Sequence, residues 1–417
     1  MSKLVVNGSR RLSGEVKVQG SKNSTLPILA ATILCSDECV LYNCPRISDV
    51  EASIRILRYL GCTAHRYENT LVINTRDMSR CDIPQDLMHQ MRSSIIFLGV
   101  IIARCKRAKM SFPGGCELGP RPIDLHLSAL RQMGIDITEE HGELECVAEN
   151  GLKAAKIALS FPSVGATENI MLAAVTAKGT TIITNAAREP EIVDLADFLI
   201  SCGAHISGAG EGTIIIDGVE KLNGTTHSII PDRIVASTLM SCAAVTHSDI
   251  TLKGVIQSHL TSTIPIFEQS GCEINFDKGV MKISSPYKLR GAKLIRTMPY
   301  PGFPTDEQAP IMSLAAVSDG ITVFVENMFE SRYKHVSELC RLGANIKVEG
   351  KVAVVDGVKR LLSANVTALD LRGAAALVVA ALCAQGRTEI SGIDFLERGY
   401  EDFEGVLTNL GADIKKV

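Results

Sequence analysis

The tripeptide Leu60-Gly61-Cys62 joins the end of an apolar helical pattern to the start of a strand pattern, with glycine between the two. The same arrangement recurs five more times, at intervals of 68 to 73 residues, as Met133-Gly134-Ile135, Cys202-Gly203-Ala204, Ser270-Gly271-Cys272, Leu342-Gly343-Ala344 and Leu410-Gly411-Ala412. Glycine is the residue that most easily takes the left-handed conformation that ends a helix. The pattern therefore predicts six copies of one structural unit.

A second set of elements keeps the same rhythm. Apolar helices rich in alanine, serine and threonine begin near Asn23, Arg92, Gly165, Arg233, Asp306 and Arg372. Several are apolar nearly all round, which is typical of a buried helix. Each is followed by a β-branched run such as Thr180-Thr-Ile-Ile-Thr, which is typical of a strand. One unit is thus a buried helix, a strand, an amphipathic helix and a β-hairpin, with hairpin turns at His141-Gly142, Lys278-Gly279 and Glu349-Gly350.

The two ends of the chain share one unit in this scheme. The sixth unit stops at Val417 after its first hairpin strand, while Leu4-Val-Val-Asn-Gly resembles Ile214-Ile-Ile-Asp-Gly and Ala353-Val-Val-Asp-Gly of other units. The N-terminal strands are therefore expected to complete the sixth unit. Three units per lobe give one domain over residues 22–230 and a discontinuous domain over residues 1–21 and 231–417. The chain then crosses between lobes near Gly20 and near Pro231.

Composition limits the class of protein. The chain has 417 residues, 46% of them hydrophobic and 21% charged, which is the balance of a folded protein with two or three domains. A formal net charge of -3 provides no general field for nucleic acid or an anionic membrane, so neither is expected as a partner. The sequence has no apolar stretch near the roughly 20 residues of a membrane helix, and its start has no signal-peptide pattern. Thirteen cysteines without CxxC pairs indicate reduced thiols and a cytoplasmic protein.

Polar and basic residues open the predicted buried helices at equivalent places in the repeat. These openings are Lys22-Asn23, Arg92, Ser163-Val-Gly165, Asp232-Arg233, Thr305-Asp306 and Asp370-Leu-Arg372, and the loops before the second helices add Arg46, Arg121, Arg188, Arg332 and Arg398. A helix N-terminus presents free N–H groups and about half a positive charge. If the buried helices run parallel, their starts form a site between the lobes for phosphate or carboxylate groups.

One loop differs from its counterparts in the repeat. Residues 112–123 contain Pro113-Gly-Gly-Cys-Glu-Leu-Gly-Pro-Arg-Pro122, which is longer and richer in glycine and proline than the matching loops. This composition excludes a helix or a central strand. The sequence predicts a mobile lid with Cys116 at its centre, and a nearby Arg121 is expected to make that thiol reactive.

At this point the motifs resemble one family over essentially the whole chain. They are Gly20-Ser-Lys-Asn23, Gly114-Gly-Cys-x-x-Gly-x-Arg-Pro122, Arg188-Glu-Pro-Glu-Ile-Val-Asp194, Phe303-Pro-Thr-Asp306, Asp370-Leu-Arg372 and Arg398-Gly-Tyr400. Together they are similar to the UDP-N-acetylglucosamine 1-carboxyvinyltransferase family. The related 3-phosphoshikimate 1-carboxyvinyltransferases share the sixfold architecture but lack the cysteine loop.

The resemblance implies both a fold and a reaction. The fold is of the α/β class, a two-domain inside-out α/β barrel with three repeats per domain, in agreement with the repeat above. The reaction is transfer of enolpyruvyl from phosphoenolpyruvate to the 3'-hydroxyl of UDP-N-acetylglucosamine with release of phosphate, the first committed step of peptidoglycan synthesis. By resemblance, Asp306 is the general base and Cys116 the general acid at C3 of phosphoenolpyruvate, with Lys22 close to that carbon. Asp370 and Arg398 complete the catalytic group.

The same resemblance implies two sets of binding residues. Phosphoenolpyruvate would contact Lys22, Arg92, Cys116, Arg121, Arg332, Arg372 and Arg398. UDP-N-acetylglucosamine would contact Asn23, Arg92, Arg121, Pro122, Ile123, Asp124, Ser163, Val164, Gly165, Thr305, Asp306 and Met328. No cofactor and no metal is implied, and the epoxide antibiotic fosfomycin is expected to alkylate Cys116.

Two positions depart from the family pattern, and two other functions compete with this one. Phe161-Pro162 stands where some members carry a basic residue, and Ile96 replaces an aromatic residue often found at the uridine site. A sister transferase acting on shikimate 3-phosphate would need the same phosphoenolpyruvate site, although the lid cysteine argues against it. A non-enzymatic repeat scaffold is the other alternative, but basic groups placed singly at helix starts do not resemble a DNA clamp.

Overall fold

The computed structural model describes residues 2–113 and 123–417 of the chain. Within this part the chain divides into two compact units. We call residues 2–19 together with 231–417 the terminal unit, and the described residues between 20 and 230 the central unit. Each unit has its own hydrophobic core, and each is described by itself.

Thirteen α-helices lie in the described residues. They are α1 (Lys22–Ala31), α2 (Ser48–Tyr59), α3 (Gln85–Met88), α4 (Phe97–Cys105), α5 (Asp124–Gln132), α6 (Val164–Ala174), α7 (Pro190–Ser201), α8 (Arg233–Val245), α9 (Ile264–Gln269), α10 (Thr305–Ala316), α11 (Val336–Arg341), α12 (Leu371–Cys383) and α13 (Phe403–Asn409). Short 3-10 segments span Thr32–Leu34, Arg92–Ile96, Gln257–Leu260, Arg332–His335 and Ile393–Arg398. None of the helices in this part of the chain is long and apolar enough to cross a membrane.

The strands are short and numerous. They are β1 (Leu4–Asn7), β2 (Ser13–Lys17), β3 (Cys39–Tyr42), β4 (Thr63–Tyr67), β5 (Thr70–Asn74), β6 (Asp82–Ile83), β7 (Arg107–Ser111), β8 (Asp136–Glu140), β9 (Glu143–Val147), β10 (Lys156–Ala158), β11 (Thr180–Thr184), β12 (His205–Ser207), β13 (Thr213–Asp217), β14 (Thr226–Ser228), β15 (Asp249–Lys253), β16 (Glu273–Asp277), β17 (Val280–Ser284), β18 (Leu294–Arg296), β19 (Ile321–Val325), β20 (Asn345–Glu349), β21 (Val352–Asp356), β22 (Asn365–Thr367), β23 (Arg387–Ser391) and β24 (Asp413–Lys416). Among the described residues they form six four-stranded sheets.

The six sheets confirm the predicted repeat. In the third sheet, ordered β10-β11-β13-β12, β10 lies parallel to β11 with the buried helix α6 between them in sequence. After α7, strands β12 and β13 form an antiparallel hairpin that pairs with β11, with Ile183 opposite Ile214. Each repeat therefore supplies the expected helix, strand, helix and hairpin strands, and each sheet contains one further short strand that lies parallel to the first.

The N-terminal segment confirms half of its prediction and corrects the other half. Strand β1 pairs antiparallel with β23 and with β24, so it does complete the sixth sheet. Strand β2, however, pairs in parallel with β15 of the fourth sheet. The sequence of β2, Ser-Gly-Glu-Val-Lys, has one large apolar residue and an almost wholly exposed pattern, so its hydrophobicity does not specify a partner.

The predicted glycine caps are present in all six repeats. Gly61, Gly134, Gly203, Gly271, Gly343 and Gly411 have φ between 84° and 106°, the left-handed side that glycine adopts most easily. The turns at His141-Gly142 and Lys278-Gly279 also have positive φ at both residues, as two-residue hairpins require. The third turn is shifted by one residue, because Glu349 pairs with Val352 and leaves Gly350-Lys351 as the turn.

Burial explains why the repeat helices are apolar. Helix α12 is buried from Arg372 to Leu382, and α8 is buried along its whole length. The helix predicted near Arg92 starts differently, since Arg92–Ile96 is a 3-10 turn and α4 begins only at Phe97. Twelve cysteines of the described residues are free thiols, and most of them are buried as small apolar side chains.

Three further glycines mark a close contact between backbones. Gly8, Gly218 and Gly357 each follow the last residue of an equivalent strand, namely β1, β13 and β21. A Cβ atom at Gly218 would lie 1.6 Å from the carbonyl oxygen of Ala177, and one at Gly357 would lie 1.6 Å from that of Ser318. At Gly8 the distance to the carbonyl oxygen of Ala384 would be 2.0 Å. Any side chain there would force the strand away from the end of the buried helix.

We expect Gly218→Ala to lower the free energy of unfolding by about 3 kcal/mol or more, because a backbone atom cannot give way as a side chain can. Gly343→Ala is the matched control, since nothing lies within 4 Å of its Cβ position and only its positive φ of 94° opposes the change. That strain costs about 1–2 kcal/mol. Urea unfolding of both variants tests the difference, and equal losses would contradict the backbone contact.

Candidate active site

In the terminal unit, Asp306 is held between two buried arginines. It lies in the first turn of α10, where a carboxylate is favoured by the helix dipole. Nη2 of Arg332 lies 3.0 Å from Oδ1 of Asp306, and Nη2 of Arg372 lies 2.9 Å from Oδ2. The two arginine side chains are only 2% and 3% exposed, whereas that of Asp306 is 29% exposed. The site thus contains a partly exposed carboxylate that is held in place by two buried arginine side chains.

Each arginine has further partners that fix its position. The guanidinium of Arg332 donates to the carbonyl oxygen of Thr305 from Nε at 3.1 Å and from Nη2 at 2.7 Å. Nη1 of Arg372 lies 3.4 Å from the hydroxyl of Tyr400, which in turn lies 2.9 Å from that of Thr238. Burial opposes the charge of Arg372, but the neighbouring Asp306 outweighs it and the pKa of the guanidinium is raised. The positive charge of Arg372 is therefore permanent.

Asp370 caps helix α12 with one carboxylate oxygen, while its other oxygen does not take part in the cap. Its Oδ1 accepts from the backbone N–H groups of Arg372 and Gly373, both at 3.0 Å. Its Oδ2 is buried and has no hydrogen-bond partner among the described residues. A buried carboxylate oxygen without a donor is costly, so it is well placed to receive a hydrogen bond from a bound molecule. The cap also places Arg372 at the start of α12.

His335 is a member of this cluster that the sequence did not single out. Its Nδ1 lies 3.2 Å from the carbonyl oxygen of Arg332, so Nδ1 carries the proton and Nε2 holds a lone pair. Burial lowers the pKa of His335 to about 4, with Asp370 opposing and Arg332 reinforcing the shift. The imidazole is therefore neutral at pH 7. Its position three residues after Arg332 was the signal that could have identified it.

Two predicted nucleotide-sugar residues are joined by a glutamate that sequence analysis also missed. Glu326 is buried, and its Oε1 accepts from the backbone N–H of Met328 at 2.8 Å. Its Oε2 accepts from the hydroxyl of Thr305 at 3.0 Å. Glu326 therefore ties the loop that carries Met328 to the first residue of α10, one position before Asp306.

Arg398 lies at the end of the 3-10 segment Ile393–Arg398, beside the Gly399-Tyr400 turn that reaches Arg372. The side chain of Gln19 holds this turn, donating to the carbonyl oxygen of Gly399 at 3.1 Å and accepting from the N–H of Glu401 at 2.8 Å. The terminal unit thus brings Thr305, Asp306, Met328, Arg332, Asp370 and Arg372 into one network, with the Arg398 turn next to it.

In the central unit, α1 carries Lys22 and Asn23 in its first turn. Ser21 caps this helix by accepting from the N–H of Ser24. The ammonium of Lys22 lies 3.2 Å from Oδ2 of Asp49, and both side chains are largely buried. Ser24 donates to Asp194 of α7, whose other oxygen lies 2.8 Å from Nε2 of His227. Asp194, the last residue of the quoted Arg188 motif, therefore fixes the helix that presents Lys22.

A second group in the central unit gathers around His126 of α5. Ser163 caps α6, and a Cβ atom at Gly165 would lie 3.2 Å from the imidazole of His126. Burial lowers the pKa of His126 to about 4, and the charge of Arg92 acts in the same direction. Ile123 and Asp124 stand at the start of the same helix α5. The predicted residues Arg92, Ile123, Asp124 and Ser163 to Gly165 are thus neighbours.

Some predicted residues lie elsewhere. Cys116, Arg121 and Pro122 fall outside the described residues. Arg46 donates to the carbonyl oxygen of Glu68, and Arg188 lies against Gly212, so neither belongs to the two groups above. Within residues 2–113 and 123–417, no group of three histidine, cysteine, aspartate or glutamate side chains is arranged to hold a metal ion.

Comparison with known proteins identifies the family of this chain. A family model described as EPSP synthase (3-phosphoshikimate 1-carboxyvinyltransferase) matches residues 6–407. UDP-N-acetylglucosamine 1-carboxyvinyltransferase 2 of Caldanaerobacter subterraneus subsp. tengcongensis is 48% identical over 417 residues, which is 100% of both chains. This chain belongs to the UDP-N-acetylglucosamine 1-carboxyvinyltransferases, within the enolpyruvyl transferase family. A further relative, the UDP-N-acetylglucosamine 1-carboxyvinyltransferase of Synechocystis, is 46% identical and covers 99% of this chain and 94% of that protein.

Solved structures confirm the fold of this family member. The enolpyruvyl transferase NikO from Streptomyces tendae has a TM-score of 0.91 and 25% identity, covering 100% of this chain and 99% of that one. The EPSP synthase of Acinetobacter baumannii has a TM-score of 0.79 at 19% identity and shares the fold. The predicted α/β class with six repeats is therefore correct, and the chain is an enzyme of the transferase class.

Glu307, next to Asp306 on α10, is a buried carboxyl that makes the stability of the protein depend on pH. It is fully buried, and its Oε2 accepts from the hydroxyl of Thr263 at 2.6 Å. Burial raises the pKa of this carboxyl from 4.5 to about 7, against the opposing charge of Arg233. Between pH 4.5 and 7 the folded state therefore keeps a proton on Glu307, whereas the same carboxyl in the unfolded chain has lost it. Stability from this group is complete below pH 4.5 and declines as pH rises through 7.

We expect Glu307→Gln to remove this dependence. Between pH 5 and pH 8 the free energy of unfolding of the parent should fall relative to the variant by roughly 3 kcal/mol, since each pKa unit corresponds to about 1.4 kcal/mol. Urea unfolding at the two pH values measures this difference. Glu349→Gln, at an exposed position, is the control and should show the same change in the free energy of unfolding between the two pH values as the parent. If Glu307→Gln also shows the parental change, Glu307 does not have the raised pKa described above.

Proposed function

We propose that this enzyme transfers the enolpyruvyl group of phosphoenolpyruvate to the 3'-hydroxyl of UDP-N-acetylglucosamine and releases phosphate. The observation that carries the proposal is Asp306, a partly exposed carboxylate held by Arg332 and Arg372 at 3.0 Å and 2.9 Å. The side chain of Asp306 is 29% exposed, so the hydroxyl group of a bound substrate can approach this carboxylate and give up its proton to it.

The first half of the reaction is an addition. Asp306 takes the proton of the 3'-hydroxyl, and the sugar oxygen forms a bond to C2 of phosphoenolpyruvate. A proton is delivered to C3 at the same time, for which we propose the thiol of Cys116, with Lys22 close to that carbon. The product of this step is a tetrahedral phospholactoyl adduct. The fixed position of Asp306 supplies the orientation that such a step requires.

The second half is an elimination. C3 returns a proton to the sulfur of Cys116, the double bond between C2 and C3 forms again, and the bond from C2 to the phosphate oxygen breaks. Phosphate leaves with the proton that Asp306 had accepted, so both side chains return to their starting state. Arginine side chains stabilise negative charge on the departing phosphate without changing their own protonation. We assign this to Arg332 and Arg372 with Arg398, Arg92, Arg121 and Lys22. Asp370, with an unused buried oxygen, would receive a hydrogen bond from the reacting group.

The residues proposed to contact the nucleotide sugar are those that the family resemblance implies. In the terminal unit these are Thr305, Asp306 and Met328, which Glu326 already holds together. In the central unit they are Asn23, Arg92, Arg121, Pro122, Ile123, Asp124, Ser163, Val164 and Gly165. The capped start of α6 at Ser163 suits a diphosphate, because its free N–H groups attract anions.

The physiological role follows from the product. Enolpyruvyl-UDP-N-acetylglucosamine is the first committed intermediate of peptidoglycan, so the proposal places the enzyme in cell-wall synthesis, and through it in cell shape and division. We propose a cytoplasmic location on the basis of the cysteine pattern of the sequence. Both substrates are small molecules.

A second candidate acceptor deserves a direct test, because the matching family model is described by the 3-phosphoshikimate enzyme. We expect inorganic phosphate release from phosphoenolpyruvate to depend on UDP-N-acetylglucosamine and to be absent with shikimate 3-phosphate. Phosphate detection with each acceptor separately measures this. Activity with shikimate 3-phosphate alone would refute the proposed substrate.

Replacing the lid thiol tests the proposed acid. Cys116→Ala should lower kcat for phosphate release by about 100-fold or more, the usual range for loss of a general acid. Cys340→Ala is the control, since Cys340 is exposed and free and lies outside both groups of site residues. Its kcat should match that of the parent. A Cys116→Ala enzyme with parental activity would exclude this thiol from the proton transfer.

The same thiol should react with fosfomycin. We expect the epoxide to open on the sulfur of Cys116 and to add one antibiotic to the lid peptide, because a reactive thiolate attacks epoxides where an ordinary thiol does not. Peptide mass spectrometry locates the adduct. The exposed Cys340 is an internal reference that should remain unmodified, and modification of both at equal rates would contradict a specially activated Cys116.

A further inference from the structure

The amide side chain of Asn169 connects three segments of the central unit. It is completely buried on α6. Its Oδ1 accepts from the backbone N–H of Gly99 at 2.7 Å, and its Nδ2 lies 3.0 Å from the carbonyl oxygen of Ile95. The same Nδ2 lies 3.1 Å from Nδ1 of His126. One amide thus bonds to the Arg92–Ile96 turn, to α4 and to α5.

The two backbone partners determine how the amide and the imidazole are oriented. The N–H of Gly99 can only donate and the carbonyl of Ile95 can only accept, so the oxygen of Asn169 must face Gly99. Both hydrogens of Nδ2 are then donated, one to Ile95 and one to His126. Because Nδ1 of His126 must accept, the proton of the neutral imidazole lies on Nε2. The low pKa of His126, about 4, agrees with a neutral ring.

The residues around the side chains of Asn169 and His126 are closely packed. A Cβ atom at Gly99 would lie 2.4 Å from Oδ1 of Asn169, so only glycine allows α4 to approach this closely. On the other side, a Cβ atom at Gly165 would lie 3.4 Å from Nε2 of His126. The N–H of His126 therefore lies beside the start of α6.

The connected segments are those that carry predicted substrate residues of the central unit. The Arg92–Ile96 turn carries Arg92, α5 begins at Asp124 after Ile123, and α6 begins at Val164 after its cap Ser163. Asn169 lies one and a half turns into α6 and has no exposed surface. It cannot touch a ligand, yet from within α6 it bonds to the other two segments, the Arg92–Ile96 turn and α5.

We propose that Asn169 is a positioning residue that sets these three segments in register and holds His126 as a neutral Nε2–H donor for an anionic group at the start of α6. The inference rests on the proposed function, which supplies the diphosphate of UDP-N-acetylglucosamine as that anionic group. A neutral donor in this place adds a hydrogen bond to the anion without a charge that would vary near pH 7.

The first experiment uses Asn169→Asp, which keeps the size of the side chain and the acceptor for Gly99. The variant loses both donors: the carbonyl of Ile95 faces a carboxylate oxygen in place of an N–H, and Nδ1 of His126 can bond to that carboxylate only by taking up a proton and giving up the neutral ring. Titration calorimetry with UDP-N-acetylglucosamine should show a Kd at least tenfold above that of the parent. Loss of stability alone would lower the active fraction and leave Kd unchanged.

Leu172→Ala is the matched control. Leu172 is fully buried on the same helix, and its truncation destabilises the fold without touching the amide. Its Kd should stay within twofold of the parental value. If the parent binds UDP-N-acetylglucosamine and the Kd of Asn169→Asp is also within twofold of the parental value, the inference is wrong. If the parent does not bind UDP-N-acetylglucosamine, the proposed function is wrong instead.

A second measurement uses the parent enzyme alone and does not depend on a variant that folds. Nitrogen-15 NMR of histidine-labelled enzyme distinguishes the two neutral tautomers and the charged ring, and the His126 signals are identified by their absence in His126→Gln. We expect the Nε2–H tautomer from pH 6 to pH 8. An Nδ1–H tautomer or a charged ring in that range would overturn the inference.

Discussion

Close backbone contact between the end of a buried helix and the strand beside it determines the geometry of this molecule. At Gly8, Gly218 and Gly357 a strand ends with its backbone against the carbonyl groups at the C-terminal end of a buried helix. Each of these glycines also donates its N–H to the carbonyl of another glycine, Gly386, Gly179 or Gly320, at 3.0–3.2 Å. With its C-terminal end fixed to the sheet in this way, the helix must present its N-terminus at a defined place. Asp306, Arg372 and the segment Ser163 to Gly165 lie at the N-terminal ends of the three helices held in this way.

The chemistry of the terminal unit depends on charges that balance one another. Asp306 and Asp370 provide two carboxylates, while Arg332 and Arg372 provide two buried cations. Buried charges are tolerated only when they are paired or hydrogen-bonded, and the contacts to Thr305, Tyr400 and the helix N–H groups supply this. Within the described part of the chain, Oδ2 of Asp370, Nε of Arg372 and Nε2 of His335 have no hydrogen-bond partner. An enzyme whose preformed site leaves such atoms available can use them to stabilise charge as it develops.

The sequence predicted the repeat well because its signals are local. Glycine caps, β-branched runs and two-residue turns each occupy a few consecutive residues, so the six units and the closure of the sixth sheet by β1 could be recognised. The pairing of β2 could not, since a short polar strand carries no information about its partner. Asp306 and Arg372 were predicted from their positions at helix starts, and Arg332 from its position in a loop before a second helix. Glu326, His335 and Asn169 were missed because their roles depend on partners brought together only by folding.

The pairing of β1 has a consequence for synthesis of the protein. Strand β1 is made before the whole central unit, but its partners β23 and β24 are made after it. Until then its apolar residues Leu4, Val5 and Val6 have no sheet to join. The central unit lies between these segments and can complete its own three sheets earlier. Nascent chains of this enzyme should therefore carry an unprotected hydrophobic strand for most of translation, which is the kind of segment that chaperones bind.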